Sequence, residues 1–124
     1  MALISVVDDD VWVRESLDSL IRSVGQEVKV FASAEEFLDS ANACEADCLI
    51  SDIRLPGMSG IELHRALMAR QCKLPVIFIT AHASDERARS EAASHWTVAY
   101  LTKPFSEDEL LGAMDAALKW SPCP

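Results

Sequence analysis

Strand-like and helix-like segments alternate five times along this chain, and this alternation restricts its fold more than any other feature. The strand-like segments are short and apolar or half-apolar, and they cover residues 3–7, 27–31, 48–52, 74–80 and 98–101. Each is followed by a segment that is typical of a helix, most of them with apolar residues at helical spacing. Strict alternation of strands and helices predicts a parallel sheet with helices on both of its faces.

The helix-like segments have recognisable boundaries. A serine followed three residues later by a glutamate is a capping box, which marks the start of a helix. Three such boxes are present, and they pair Ser33 with Glu36, Ser59 with Glu62 and Ser106 with Glu109. Of the two other helices, one follows the first strand and one begins at Ser84. We predict that the first four helices end near Gly25, Cys44, Gln71 and His95.

The composition of the strands predicts their order in the sheet. The first, third and fourth strands are nearly continuous apolar runs, as expected of central parallel strands that are buried on both faces. The second and fifth strands are mixed or short, as expected at the edges of a sheet. A doubly wound sheet with the strand order 2-1-3-4-5 satisfies both conditions. We therefore predict an α/β fold with a five-stranded parallel sheet in this flavodoxin-like order.

Polar residues stand where these strands end. Asp8 and Asp9 follow the first strand, Asp52 ends the third, Thr80 ends the fourth, and Lys103 follows the fifth. In an open parallel sheet, ligands bind outside the carboxyl ends of the strands. Because the first and third strands are predicted neighbours, the three carboxylates should meet in one crevice. The sequence therefore predicts a site for a divalent metal and a phosphoryl group at this edge.

Length and charge narrow the possible roles of the chain. Its 124 residues suffice for one domain, which we expect to cover residues 1–120, with residues 121–124 as a tail or the start of a linker. The formal charge of −9 repels nucleic acid and anionic membranes, so we expect this domain to bind neither. We find no signal peptide and no membrane-spanning segment, and we expect a cytoplasmic location.

Four cysteines leave two interpretations open. Cys44 and Cys48 have a spacing that weakly indicates zinc, but no second pair of ligands lies near them, and Cys72 and Cys123 are distant in sequence. We favour reduced thiols that pack as small hydrophobic side chains.

Four motifs resemble those of the receiver domain of two-component response regulators. They are V-V-D-D-D at residues 6–10, S-D-I-R-L-P-G-M-S-G at 51–60, I-T-A at 79–81 and K-P-F at 103–105. Each motif alone is weak, but four in order, each at a strand end, are specific. The resemblance runs from Leu3 to about Lys119 and implies the (βα)5 receiver fold. The segment at residues 33–38 looks most like regulators with a LuxR-type helix-turn-helix output domain.

The resemblance also implies the roles of the residues at the strand ends. Asp52 would be the phosphoacceptor. Asp8, Asp9, Asp52 and the backbone carbonyl of Arg54 would hold Mg2+, for which Mn2+ can substitute, with Asp8 acting partly through water. Two further residues, Thr80 and Lys103, would sense the phosphoryl group. Taken singly, each of these residues also has an ordinary structural interpretation, such as a capping aspartate or a surface lysine.

Three other residues match positions with regulatory roles in the family, and Trp96 stands where the sequence departs from the family pattern. Tyr100 stands where receivers carry an aromatic switch, although a half-buried tyrosine on an edge strand is a serious alternative. The Arg54 side chain and His82 lie where receivers tune the lifetime of the aspartyl phosphate. Trp96 is either an exposed contact for a partner or a plug that replaces missing core volume. The family also suggests a cis bond before Pro104.

The function that this resemblance implies is a phosphorylation-controlled switch. A sensor histidine kinase would donate a phosphoryl group to Asp52, and the phosphorylated domain would form a homodimer and act on transcription through a separate DNA-binding domain. Such a domain is not a conventional enzyme, although it catalyses its own phosphorylation and dephosphorylation. Two alternatives remain. A phosphohydrolase with Asp52 as nucleophile would need a second acid where Arg54 stands, and a pseudo-receiver would bind partners without accepting phosphate.

Overall fold

A five-stranded parallel sheet forms the centre of the fold. The structure is a computed structural model, and it describes residues 2–40, 43–72, 74–81 and 97–119. The strands are β1 (Leu3–Val7), β2 (Glu27–Phe31), β3 (Cys48–Asp52), β4 (Val76–Thr80) and β5 (Thr97–Thr102). The helices are α1 (Val11–Ser23), α2 (Ala34–Asp39), α3 (Gly60–Ala69) and α4 (Glu107–Leu118), and Ala43–Glu45 form a turn of 3-10 helix. The helix predicted from Ser84 to His95 lies outside the described residues.

The strands lie in the order β2-β1-β3-β4-β5 and pair in parallel throughout, so the predicted fold class and strand order are confirmed. Every residue of β3 and β4 is buried, whereas β2 and β5 are partly exposed, which confirms the predicted centre and edges. Val7 pairs with Ser51, and Asp52 pairs with Ile79. This register brings the carboxyl ends of β1, β3 and β4 together at one edge of the sheet.

Apolar side chains form one cluster on each face of the sheet, because successive residues of a strand point to opposite faces. One cluster includes Val7, Leu49 and Phe78 with Phe37 of α2 and Leu63 of α3. The other cluster includes Ile4, Ile50 and Ile77 with Leu17 of α1 and Leu110 of α4. The sheet therefore packs against helices on both faces, and the loops at its carboxyl edge extend from this packed core.

Local capping signals determine several helix boundaries. The boxes at Ser59 and Ser106 form completely, since each serine hydroxyl accepts a hydrogen bond from a backbone N–H and each partner glutamate accepts one from the serine N–H. At Ser33 only the serine half forms. Gly25 follows α1 with a positive φ of 86°, a conformation that favours glycine. None of the described helices combines the length and apolarity that crossing a lipid bilayer requires.

The second helix is shorter than predicted. We expected it to run from Ser33 to Cys44, but α2 ends at Asp39. The Ser40 hydroxyl donates to the Phe37 carbonyl over 2.7 Å, and the backbone of Ser40 is extended, at φ −71° and ψ 142°. A serine that bonds to the preceding turn competes with helix continuation, which explains the early end.

The structure also corrects the expectation for two cysteines. Cys44 and Cys72, which we expected to be reduced thiols, are joined by a disulfide. The reason is tertiary, since Cys44 precedes β3 and Cys72 precedes β4, and the leading ends of these neighbouring parallel strands lie side by side. Cys48 is a free, buried thiol as predicted, and Cys123 lies outside the described residues.

Candidate functional site

Three consecutive aspartates follow β1, and each lies in a different environment. Asp8 is fully buried, and its backbone N–H continues the sheet by donating to Phe31 O over 3.1 Å. Asp9 is exposed. Asp10 caps α1, because its carboxylate accepts a hydrogen bond from the Trp12 N–H over 2.9 Å. Asp10 therefore serves as a helix cap and is separate in role from the two acids of the site.

Asp52 is the last residue of β3 and is only 7% exposed. Its Oδ1 accepts a hydrogen bond from the backbone N–H of Arg54 over 3.0 Å, which orients the carboxylate. Gly60, the first residue of α3, packs directly against the backbone of Asp52, and a Cβ on this glycine would overlap the Asp52 carbonyl oxygen. The phosphoacceptor candidate is therefore held between the end of a buried strand and the start of a helix.

Lys103 joins the two buried carboxylates. Its Nζ lies 3.0 Å from Oδ2 of Asp52 and 3.2 Å from Oδ2 of Asp8. Its backbone N–H donates to the Thr80 carbonyl over 2.7 Å, which fixes the start of the loop after β5 against the end of β4. The peptide bond to Pro104 is cis, as the resemblance suggested. The side chain predicted to carry the positive charge of the site is thus in direct contact with two of its acids.

The charges in this cluster perturb one another. Burial raises the pKa of Asp8 above its ordinary value, and the charge of Asp52 adds to the rise, while a hydrogen bond from the Asp10 backbone and the Lys103 ammonium oppose it. Burial by itself would lower the pKa of Lys103, but the two carboxylates outweigh that effect and raise it. Lys103 is therefore an ammonium at neutral pH and compensates part of the buried negative charge.

The acidic cluster fits a hard divalent cation. One carboxylate oxygen from each of Asp8, Asp9 and Asp52 lies within 4.8 Å of the others. Lys103 supplies a single positive charge against three acids, so a cation would remove the remaining repulsion. Mg2+ prefers oxygen ligands and commonly uses one or two carboxylates with several waters. The donor set, its charge and its exposure at Asp9 therefore suit Mg2+.

The other predicted residues fall into two groups. Thr80 is buried at the end of β4, next to the backbone of Lys103, and the exposed Arg54 follows Asp52 in the loop after β3. Tyr100 is half-buried on β5 and pairs in register with Phe78. It packs against the apolar cluster to which Phe78 belongs. His82 and Trp96 lie outside the described residues, so their roles remain predictions.

Two contacts near the site were not predicted. The guanidinium of Arg14 donates to the Asp8 carbonyl over 2.7 Å and ties α1 to the end of β1. The carboxylate of Glu35 accepts a hydrogen bond from the Met58 N–H over 3.2 Å, so α2 supports the loop between β3 and α3. Both contacts escaped prediction because each depends on elements that only the fold brings together.

Comparison with known proteins places these features in a family. The family model of the response regulator receiver domain matches residues 4–115. The response regulator protein TodT of Pseudomonas putida is 44% identical over 121 residues, which cover 98% of this chain and 53% of TodT. The transcriptional regulatory protein FixJ of Bradyrhizobium diazoefficiens is 37% identical over 116 residues, which cover 94% of this chain and 56% of FixJ. The chain thus spans about half the length of these curated relatives.

A solved structure supports the same assignment. The crystal structure of FixJ-N matches with a TM-score of 0.86 at 33% identity and covers 100% of this chain and 98% of FixJ-N. The sheet order, the cluster of Asp8, Asp9 and Asp52, and the family match over nearly the whole chain all agree. This chain therefore belongs to the receiver domain family of two-component response regulators.

Proposed function

We propose that Asp52 accepts a phosphoryl group from the phosphohistidine of a sensor histidine kinase. Receiver domains are phosphorylated by such kinases and are not conventional enzymes. In the transfer, an Asp52 oxygen forms a bond to phosphorus while the bond between phosphorus and the histidine nitrogen breaks. The observation that carries the proposal is the contact of 3.0 Å between Asp52 Oδ2 and Lys103 Nζ in a cluster of acids.

The residues around Asp52 suit the charges of this reaction. Phosphoryl transfer depends mainly on positioning and on neutralising charge. The backbone N–H of Arg54 holds one Asp52 oxygen, and Lys103 can move its ammonium from the carboxylates to an incoming phosphoryl oxygen. The Thr80 hydroxyl would donate to a second phosphoryl oxygen. These residues would both promote the phosphorylation of the domain and shape its later hydrolysis.

Asp8, Asp9, Asp52 and the backbone carbonyl of Arg54 would hold Mg2+, or Mn2+ in its place. Receiver domains bind Mg2+ at an acidic pocket, and the three carboxylates converge here. When bound, the cation supplies positive charge that offsets the repulsion between Asp52 and a phosphoryl group. We expect Asp9 and Asp52 to be direct ligands and the buried Asp8 to act partly through water.

Phosphorylation would be passed on as a change at the surface of the domain. In this proposal Thr80 moves toward the phosphoryl group and Tyr100 turns inward behind it. These movements would favour one of two arrangements of β5 and its neighbours over the other. Tyr100 is half-buried as a residue, its hydroxyl oxygen is buried, and it packs against the cluster that contains Phe78. Arg54 and His82 would alter the lifetime of the phosphoryl group, and Trp96 would contact a partner.

The output of the signal would lie elsewhere. We propose a receiver domain of residues 1–120 that homodimerises on phosphorylation in the cytoplasm and controls transcription through a LuxR-type DNA-binding domain. FixJ, which this chain resembles, is named as a transcriptional regulatory protein. The formal charge of −9 supports the view that this domain does not itself bind nucleic acid or a membrane.

The test is the intact mass of the protein after incubation with acetyl phosphate, with and without Mg2+. We expect a Mg2+-dependent gain of one phosphoryl group in the wild type and no gain in Asp52→Asn. Asp10→Asn is the matched control, because it makes the same chemical change at a neighbouring acid whose role is to cap α1. Absence of the gain in folded wild-type protein would instead support a pseudo-receiver. Continuous release of phosphate from an added phosphomonoester would support a phosphohydrolase.

A further inference from the structure

Two cysteines that take no part in the acidic site lie together at the opposite edge of the sheet. Cys44 lies in the 3-10 turn that leads into β3, and Cys72 lies between α3 and β4. Although 28 positions separate them in sequence, their Cα atoms are 5.2 Å apart and a disulfide joins them. This Cα separation falls inside the range that disulfides require.

The end of α3 holds Cys72 in position through backbone hydrogen bonds. Gln71 adopts a positive φ of 61°, and its N–H donates to Met68 O over 3.0 Å. The N–H of Cys72 then donates to Leu67 O over 2.8 Å, which completes the motif known as a Schellman cap. The chain reverses direction at this point, and Cys72 packs in the apolar cluster that contains Phe37 and Leu63. Its position is therefore set by hydrogen bonds that do not depend on the bond between the sulfurs.

A second contact links the end of α3 to α2. The guanidinium of Arg70, at the end of α3, donates to Leu38 O in α2 over 3.3 Å. The ends of α2 and α3 are thus tied together on the same face of the sheet, close in sequence to both cysteines. The two thiols are expected to remain neighbours when the disulfide is reduced.

The two cysteines differ in exposure to solvent. Cys44 is an exposed residue, whereas Cys72 is only 6% exposed. The remaining described cysteine, Cys48, is fully buried, and burial raises the pKa of its thiol to about 12. Since the thiolate is the reactive form of cysteine, Cys48 stays inert. A dissolved disulfide reagent can therefore reach Cys44 first. Cys72 then reacts with the mixed disulfide that forms on Cys44.

We propose that Cys44 and Cys72 form a reversible disulfide by exchange with a small-molecule disulfide such as glutathione disulfide. The Cys44 thiolate attacks one sulfur of glutathione disulfide and releases one glutathione thiolate. The thiolate of Cys72 then attacks the Cys44 sulfur of the mixed disulfide and releases the second glutathione. Two protein thiols are oxidised, one glutathione disulfide is reduced to two thiols, and the two protons go to solvent or to the released thiolates.

The expected consequence is a more stable domain with an unchanged phosphoacceptor site. The bond closes a loop of about 30 residues, which restricts the unfolded chain, so oxidation should raise Tm by about 10 °C. The site is at the other end of β3, whose residues advance about 3.3 Å each. Phosphorylation of Asp52 should therefore proceed at a rate within about twofold in both redox states.

The experiment uses the 124-residue chain with Cys123→Ser, so that only Cys44, Cys48 and Cys72 remain. Reduced protein is incubated with mixtures of glutathione and glutathione disulfide, quenched in acid, and alkylated, and intact mass counts the free thiols and any bound glutathione. Peptide mapping then identifies the linked cysteines. We expect loss of two thiols with no retained glutathione, reversal by a thiol reductant, and a peptide that links Cys44 to Cys72.

Two variants separate the steps of the exchange. Cys72→Ser should retain one glutathione on Cys44, because the resolving thiol is absent. Cys44→Ser should react at least about tenfold more slowly and should have the same Tm in both buffers. Should Cys72→Ser fail to fold by circular dichroism, Cys44→Ser at its exposed position still carries the test. Glutathione retained while both cysteines are present, equal reactivity of Cys44→Ser, or a cross-link that leaves Tm unchanged would overturn the proposal.

Discussion

Replacing Gly60 with alanine is expected to destabilise the domain and to disturb its phosphoacceptor. Gly60 is the first residue of α3, and its N–H donates to Ile53 O over 3.0 Å. A Cβ at this position would overlap the Asp52 carbonyl oxygen and would lie 2.8 Å from Ser51 Oγ and 3.1 Å from the carbonyl carbon of Asp52. Two of these atoms belong to the backbone of a buried strand, so no side-chain rotation can relieve the overlap.

The size of the effect follows from two opposing terms. Overpacking a well-packed region costs about 1–3 kcal/mol. Alanine is favoured over glycine within a helix by up to about 1 kcal/mol, and this gain is smaller at a first helical position such as Gly60. We therefore expect Gly60→Ala to lower the free energy of unfolding by about 1–2 kcal/mol. The strain is relieved only by moving Asp52 or the start of α3, and both positions matter for the site.

Gly112 provides a matched control in the same molecule. It lies inside α4, is exposed, and has no atom within 4 Å of the position that a Cβ would occupy. Gly112→Ala should therefore raise the free energy of unfolding by about 0.5–1 kcal/mol through helix propensity alone. The same chemical change is thus expected to have opposite signs at the two positions.

Both variants can be measured by urea unfolding, followed by far-UV circular dichroism. The rate of phosphorylation by acetyl phosphate at saturating Mg2+ gives a second readout, which should fall by about tenfold in Gly60→Ala because the attacking oxygen is displaced. Gly112→Ala should stay within about twofold of the wild-type rate. If Gly60→Ala proves as stable as the wild type, the close packing of α3 on β3 does not constrain the site and the reasoning is wrong.

Three further predictions concern other parts of the molecule. Asp9→Asn should weaken Mg2+ binding by at least about tenfold in calorimetric titration, whereas Asp10→Asn should leave it nearly unchanged because asparagine caps a helix as well as aspartate does. Gln71→Gly should raise the free energy of unfolding in urea by about 0.5–1 kcal/mol, since glycine adopts the positive φ of 61° without steric cost; an unchanged midpoint would contradict this. Burial lowers the pKa of His64 below its ordinary 6.5, against a weaker opposing hydrogen bond with the Leu74 backbone. The unfolded chain therefore binds more protons than the folded one as pH falls below about 6.5, and wild-type stability should drop by up to about 1.4 kcal/mol per pH unit more than that of His64→Leu. If the free energy of unfolding changes with pH equally in the wild type and in His64→Leu, this prediction is wrong.

Features that depend on neighbouring residues could be predicted from the sequence. The apolar runs of β1, β3 and β4 indicated a central parallel sheet, since burial on both faces requires apolar residues at nearly every position. The caps at Ser59 and Ser106 formed as predicted from residues three positions apart, whereas at Ser33 only the serine half of the box formed. The placement of Asp8 and Asp52 at one edge followed from the strand order. The same strand-end pattern placed Lys103 at this edge, and the family resemblance added its role in sensing the phosphoryl group.

Features that depend on contacts between distant elements were decided by the tertiary structure. The pairing of Cys44 with Cys72 arises because β3 and β4 are parallel neighbours, and no spacing in the sequence indicated it. The contact of Glu35 with Met58 likewise depends on how α2 lies beside the loop after β3.

The acidic site depends on both levels. Which residues stand at the carboxyl ends of the strands could be read from the sequence, because a strand's period and apolarity are visible in adjacent positions. The assembled fold was needed to show that Lys103 Nζ lies within 3.2 Å of both Asp8 and Asp52 while Asp9 faces solvent. Those distances and exposures follow from the register of β1, β3, β4 and β5, and from the cores that hold the sheet on both faces. Residues far apart in the chain acquire such geometry only when the whole sheet is assembled.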